Sequence, residues 1–171
     1  LLIFFLVDKN YPEAKYGHFE FMFAGLKDLK QQAEVLDLNF HILEYNDKDL
    51  IAEILREASL LVSEKVYLKN LRMWKKEIAE IIEIPFYTVE TNLICPVEEV
   101  SDKEEYAAYT IRKKINKIKE KYLNDLETLD LKNKSKIKLK KEIENKIINN
   151  LDDYLNAIDF EDKRSFKNFY T

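Results

Sequence analysis

The chain has 171 residues, the length of one domain, and 46% of them are apolar, enough to build a core. Charged residues make up 35% and the net charge is −4, so whole-chain charge gives no reason to expect a nucleic-acid partner. A single cysteine, Cys95, excludes an internal disulfide framework and fits a reducing cytoplasm.

Leu1–Val7 (LLIFFLV) is the longest purely apolar run, far below the roughly 20 residues that cross a membrane. No basic region precedes it and no small-residue cleavage site follows, so a buried strand is expected. Its β-forming residues are apolar on both faces, as in a central parallel strand. The chain opens inside this strand without an initiator methionine, which suggests a fragment. A turn-rich loop, KNYPEAKYG, comes next. From His18 to about Leu36 apolar residues recur at helical spacing: Phe19, Met22, Phe23, Leu26, Leu29 and Ala33.

Leu38–Tyr45 reads as a second strand. The helix DKDLIAEILREA follows, with Asn46 or Asp47 as its N-cap. Ser59–Glu64 is a third strand, LKNLRMWKKEIAEII a helix, and Pro85–Glu90 a fourth strand. Strands alternating with helices predict an α/β fold, a Rossmann-like parallel sheet with helices on both faces. TNLICPVEEV reads as a loop. A helix is expected from SDKEEYAAYTIRKKI to about Leu126, then a lysine-rich segment with a strand-like piece at Lys136–Leu139. LDDYLNAI is a short helix, and DFEDKRSFKNFYT is a tail without a core pattern.

The visible chemistry is sparse. Only Gly17 and Gly25 are glycines, and neither a dinucleotide-binding glycine loop nor a phosphate-binding loop is present. No Cys/His cluster has zinc-ligand spacing, so no metal site is expected. Cys95 sits in apolar LICPV and is read as a packed thiol. His41 is a strand residue, and His18 caps a helix or lies at an interface. The segment from Arg112 to Lys146 holds 13 Lys/Arg against 6 Asp/Glu. It is either a phosphate-contact surface or, the favoured reading, a solvated face in a lysine-rich chain. In parallel α/β folds ligands bind beyond the carboxyl ends of the strands. The candidate rim is Asp8 and Lys9, Glu44 and Tyr45, Glu64 to Tyr67, and Thr91 and Asn92.

SDKEEYAAYTIRKKI, preceded by TNLICPVEEV, resembles the end of the N-terminal domain of class II cyclobutane pyrimidine dimer DNA photolyases, members of the photolyase/cryptochrome family. Three earlier stretches match in the same order: FFLVDKNYPEAKYGHFEFMFAGLKDL, LLVSEKVYLKNLRMWKKEIA and IPFYTVETN. The likeness runs over 1–115 and more loosely to Thr171. It implies an α/β antenna domain at 1–115 and, at 116–171, a connector toward an FAD-binding domain absent from these residues. In such flavoprotein lyases the helical C-terminal domain holds FAD, flips out the dimer from UV-damaged DNA and splits it by light-driven electron transfer. The N-terminal domain holds, in some members, a deazaflavin antenna chromophore.

The resemblance also implies that the family's first strand, central in its sheet, is missing here. Two strand pairs would then flank a slot with unpaired apolar edges; either the sheet closes up or the chain is unstable alone, and it is expected to aggregate or bind hydrophobic dyes. Where the family pattern has other residues, this chain has Gly17, Glu64, Val66, Leu71, Cys95 and Lys113.

On this reading no catalytic residue falls within the chain. Asp8, Lys9, Glu64, Tyr67 and Asn92 form the antenna rim. Tyr106, Tyr109 and Arg112, spaced i, i+3 and i+6, share a helix side that faces either the flavin domain or their own sheet. The expected function is light harvesting and scaffolding in a cytoplasmic DNA-repair enzyme. The alternative is a stand-alone, non-catalytic α/β binding module that holds nucleic acid weakly through 112–146.

Overall fold

The computed structural model describes residues 1–125 and 137–165. They form two compact units. One combines Leu1–Ile54 with the described part of Leu131–Thr171; the other is the described part of Leu55–Asp130.

The first unit is built on a parallel pair, β1 (Leu2–Val7) and β2 (Asn39–Glu44), in register from Leu2 opposite Asn39 to Val7 opposite Glu44. Between them runs α1 (Tyr16–Val35), and α2 (Lys48–Arg56) follows β2. Strand side chains alternate between faces, and both faces of this pair are covered. Ile3, Phe5 and Val7 join Phe40 and Ile42 in one cluster with Phe19, Phe23 and Leu26 of α1. Phe4 and Leu6 join Leu43 in a second cluster with Leu50 and Ile54 of α2. The expected doubly covered α/β architecture is present here, because β1 is apolar at every position.

Helix ends follow local chemistry. Asp47 caps α2: its carboxylate accepts from the Leu50 N–H at 3.0 Å, as the sequence predicts. His18 is a capping residue of α1, its Nδ1 accepting from the Lys15 N–H at 2.9 Å. The other end of α1 closes without glycine. Asp37 takes a left-handed conformation (φ 57). The N–H of Leu38 then reaches Ala33 O at 2.8 Å and that of Asp37 reaches Glu34 O at 3.0 Å, a Schellman closure.

The second unit carries another parallel pair, β3 (Leu61–Glu64) and β4 (Phe86–Val89), with α3 (Lys69–Ile81) between them. Ile78 and the free thiol Cys95 are buried in this unit, so the packed-thiol reading of Cys95 agrees with the structure. The two parallel pairs, β1–β2 and β3–β4, are separate two-stranded sheets, the arrangement that the family resemblance implies.

The expected loop TNLICPVEEV contains one helical turn, α4 (Val97–Val100). The helix expected from Ser101 begins later, as α5 (Ala108–Ile118), and continues as a 3-10 turn over Lys119–Lys121. Ser101 explains the delay. Its Oγ accepts from the Lys103 N–H at 3.4 Å and donates to Glu105 Oε1 at 2.7 Å, local bonds that compete with helix. Leu126 lies outside the described residues, as does Lys136. Residues 137–139 form no strand, correcting the strand-like reading there.

After a short helix, α6 (Lys141–Glu144), the expected terminal helix forms as α7 (Leu151–Ala157), capped by the Asn150 side chain. Leu151, Leu155 and Ile158 are buried in the α1 cluster. Ile143 of α6 is buried with α2 on the opposite sheet face. The Ile148 N–H donates to Ile42 O at 2.9 Å, occupying part of the outer edge of β2. The tail also has a core role: Phe160 packs edge-on to Tyr16, with centroids 5.7 Å apart.

Candidate functional site

The carboxyl ends of the strands carry polar side chains in both units. In the first unit, the backbone leaves β1 through a turn in which Asp8 Oδ1 accepts from the Asn10 N–H at 2.8 Å. Asn46 Nδ2 approaches the same oxygen at 3.3 Å. Lys9 Nζ is 2.9 Å from Glu44 Oε1, joining the ends of β1 and β2. Lys48 Nζ lies 3.0 Å from the centroid of the buried Tyr45 ring, a cation–π contact. The buried Tyr154 hydroxyl completes this end. Burial, followed by the charges of Glu44 and Asp8, pushes its pKa well above the usual phenol range.

In the second unit, Glu64 ends β3. Its Oε2 accepts from Asn92 Nδ2 at 3.3 Å and from Thr91 Oγ1 at 3.5 Å. Asn92 is further fixed through its N–H, which donates to Glu90 Oε1 at 3.2 Å. The Tyr67 hydroxyl donates to Glu90, and that bond raises the Tyr67 pKa to about 12 while holding Glu90 ionised. Lys65 pairs with Glu98 of α4. Lys75 of α3 places a buried ammonium with no hydrogen-bond partner among the described residues. Burial lowers its pKa, and the charge of Glu64 opposes that shift.

Of the five predicted rim residues, Glu64, Tyr67 and Asn92 thus belong to one network through Glu90. Asp8 and Lys9 occupy the corresponding strand end of the first unit. Glu90, Glu98, Lys75 and Tyr154 escape the sequence reading as rim members, and Asn46 enters it only as an alternative helix cap. Glu90 ends the predicted fourth strand, one residue from the rim, and could have been included. Lys75 and Tyr154 lie inside helical segments and carry no local signal. The network supplies carboxylate acceptors, an oriented amide and an aromatic ring, groups suited to binding. No group of three His, Cys, Asp or Glu that could hold a metal exists among the described residues. His41 is a half-buried strand residue 5.6 Å from the Phe4 ring centroid, and burial followed by Lys30 lowers its pKa.

The helix stretch resolves differently. Tyr106 precedes α5, so the i, i+3, i+6 relation with Tyr109 and Arg112 is not a helical one; only Tyr109 and Arg112 share the helix. Tyr106 and Tyr109 are 93% and 62% exposed, so neither ring packs into a core. The buried side of this region is a polar anchor. Lys114 Nζ reaches Ser101 Oγ at 2.9 Å and pairs with Glu105. Lys114, then Ser101 and Thr110, hold the Glu105 carboxyl down at about 2. No helix among the described residues is long and apolar enough to cross a membrane.

Parallel strand pairs joined by helices, with polar groups at their carboxyl ends, define a Rossmann-like α/β architecture. The family model for DNA photolyase matches residues 1–132, and the chain belongs to the DNA photolyase family. It is 29% identical over 132 residues to the deoxyribodipyrimidine photo-lyase of Methanothermobacter thermautotrophicus, covering 77% of this chain and 30% of that protein. It is 32% identical over 133 residues to the enzyme of the same name from Arabidopsis thaliana, covering 75% of this chain and 27% of the relative. With that of Potorous tridactylus it shares 31% identity over 107 residues, covering 60% and 20%. The chain therefore spans less than a third of the length of these relatives.

Proposed function

We propose that this chain is the N-terminal light-harvesting and scaffold domain of a class II deoxyribodipyrimidine photolyase. The complete enzyme repairs cyclobutane pyrimidine dimers in UV-damaged DNA by light-driven electron transfer from FAD, in the cytoplasm. The observation that carries this reading is the family match over 1–132 together with the parallel α/β architecture. In this reading 1–115 is the α/β domain and 116–171 the connector.

FAD does not fit the described residues. They offer no glycine-rich phosphate turn. In the photolyase reading FAD belongs to a further, helical domain of the same protein. A deazaflavin-type antenna fits the second unit better at its ring. Tyr67 offers an aromatic surface and Asn92 a held amide, and the buried Lys75 ammonium lacks a hydrogen-bond partner among the described residues. Bound there, such a chromophore would absorb light and pass the excitation on; Asp8 and Lys9 form the corresponding strand end of the first unit. The interface with the flavin domain is assigned to the exposed Tyr106, whereas Tyr109 and Arg112 lie on a charged helix face of different character.

The product of the complete gene should co-purify with flavin absorbance and remove dimers from a UV-irradiated oligonucleotide under near-UV or blue light. A product without flavin would instead support the stand-alone binding module.

A further inference from the structure

We infer that the exposed face of α5 is a contact surface for the phosphate backbone of duplex DNA. Tyr109, Arg112, Lys113, Asn116 and Lys117 stand at i, i+3, i+4, i+7 and i+8, and all five are exposed. The opposite side carries the half-buried Ile111, Lys114, Ile115 and Ile118. The helix is thus anchored on one side and presents a continuous polar stripe on the other.

Charge singles out this stripe. The chain as a whole is acidic, at −4, yet α5 contains no acidic residue. Several other cations are paired, Lys9 with Glu44, Lys27 with Asp152 and Lys121 with Glu99, and on the anchored side of α5 itself Lys114 pairs with Glu105. Arg112, Lys113 and Lys117 have no acidic partner among the described residues. A solvated helix face in a chain with more acids than bases would normally mix both signs.

The stripe fits a polyanion better than a protein partner. A protein interface needs an apolar centre, and here the single aromatic, Tyr109, lies at one end. From Tyr109 to Lys117 the stripe spans about 12 Å at 1.5 Å per residue. One DNA strand carries a charge about every 3.4 Å of axis, so three or so phosphates fall within its length. Arg112, Lys113 and Lys117 would neutralise them, and the Tyr109 hydroxyl and Asn116 amide can donate to the same oxygens. Such contacts carry no sequence or lesion specificity.

The choice of nucleic acid rests on the photolyase reading, so the test separates the two. Binding of the protein to an undamaged duplex oligonucleotide is measured in the dark between 50 and 200 mM salt, for the parent and for R112Q/K113Q/K117Q. Three neutralised phosphates correspond to a slope of about −2.7, so the salt sensitivity over this fourfold range should fall by about 40-fold in the variant. If the triple variant misfolds by circular dichroism, Lys117→Gln alone should reduce it by about 3.5-fold. An unchanged slope overturns the inference, whatever the repair activity; so does an unchanged slope with loss of flavin, which would make the stripe a domain interface. A reduced slope in a protein that repairs no dimers upholds the surface and removes the photolyase reading.

Discussion

Lys27 of α1 grips Asp152 of α7, its Nζ lying 2.6 and 2.7 Å from the two carboxylate oxygens across 125 residues of sequence. The pair is well exposed, at 45% and 68%, so it orients α7 more than it stabilises it. The adhesion comes from Leu151, Leu155 and Ile158, which are buried against α1. Lys27→Met should change stability by less than about 1 kcal/mol, whereas Leu155→Ala should cost about 2–5 kcal/mol. Urea denaturation of the two variants checks this ordering, and equal losses would contradict it.

Asp37 holds a left-handed backbone at the end of α1, a conformation that costs a residue with a Cβ about 1–2 kcal/mol. Asp37→Gly removes that cost and adds unfolded-state entropy of about 0.5–1 kcal/mol. The expected outcome is a stabilisation of up to about 1 kcal/mol, read as a rise in Tm, with Asp37→Val lowering it. Two variants with equal Tm would show that the Schellman closure is not formed in solution.

These two helix ends show what the sequence makes legible. α1 is readable from the spacing of Phe19, Phe23 and Leu26, and α2 from its Asp47 cap, because both are local signals. The stop at Asp37 is hidden, since no glycine marks it. The late start of α5 is also hidden: Ser101 and Glu105 are satisfied by Lys114, which lies many residues downstream. At the rim, Glu64, Tyr67 and Asn92 follow from strand ends alone, but Lys75, whose ammonium feels the charge of Glu64, comes from the middle of a helix. Phe160 looks unpatterned because it fills a gap in a core made by distant elements rather than repeating within its own.

Glu105 should report the anchoring of α5. Its folded pKa, about 2, lies below the ordinary glutamate value of about 4.3, so ionised Glu105 favours the folded state. This contribution is present above about pH 4.3 and is lost as the pH falls toward 2. Lys114→Met should move the Glu105 midpoint upward, as followed by carboxyl-carbon NMR titration. A midpoint already near 4.3 in the parent would mean that the Ser101–Glu105–Lys114 anchor is absent.

Tyr67 is the corresponding probe of the rim. Its hydroxyl donates to Glu90 and its pKa is raised to about 12, so the neutral phenol supports folding below about pH 10 and that support fades between about 10 and 12. Glu90→Gln should bring the phenol back toward about 10. Ultraviolet difference titration of the parent and of Glu90→Gln measures it, with Tyr67→Phe identifying the transition. Identical curves for parent and Glu90→Gln would remove the Tyr67–Glu90 link from the network.

The central claim, membership in a light-driven DNA-repair enzyme, is tested most directly by dimer repair. The product of the complete gene is mixed with an oligonucleotide containing one thymine cyclobutane dimer, and intact thymines are counted after illumination and after an equal time in darkness. The thymines should be restored in the light and not in the dark. Equal dimer content in the illuminated and dark samples, with the protein folded and carrying its flavin, would contradict it.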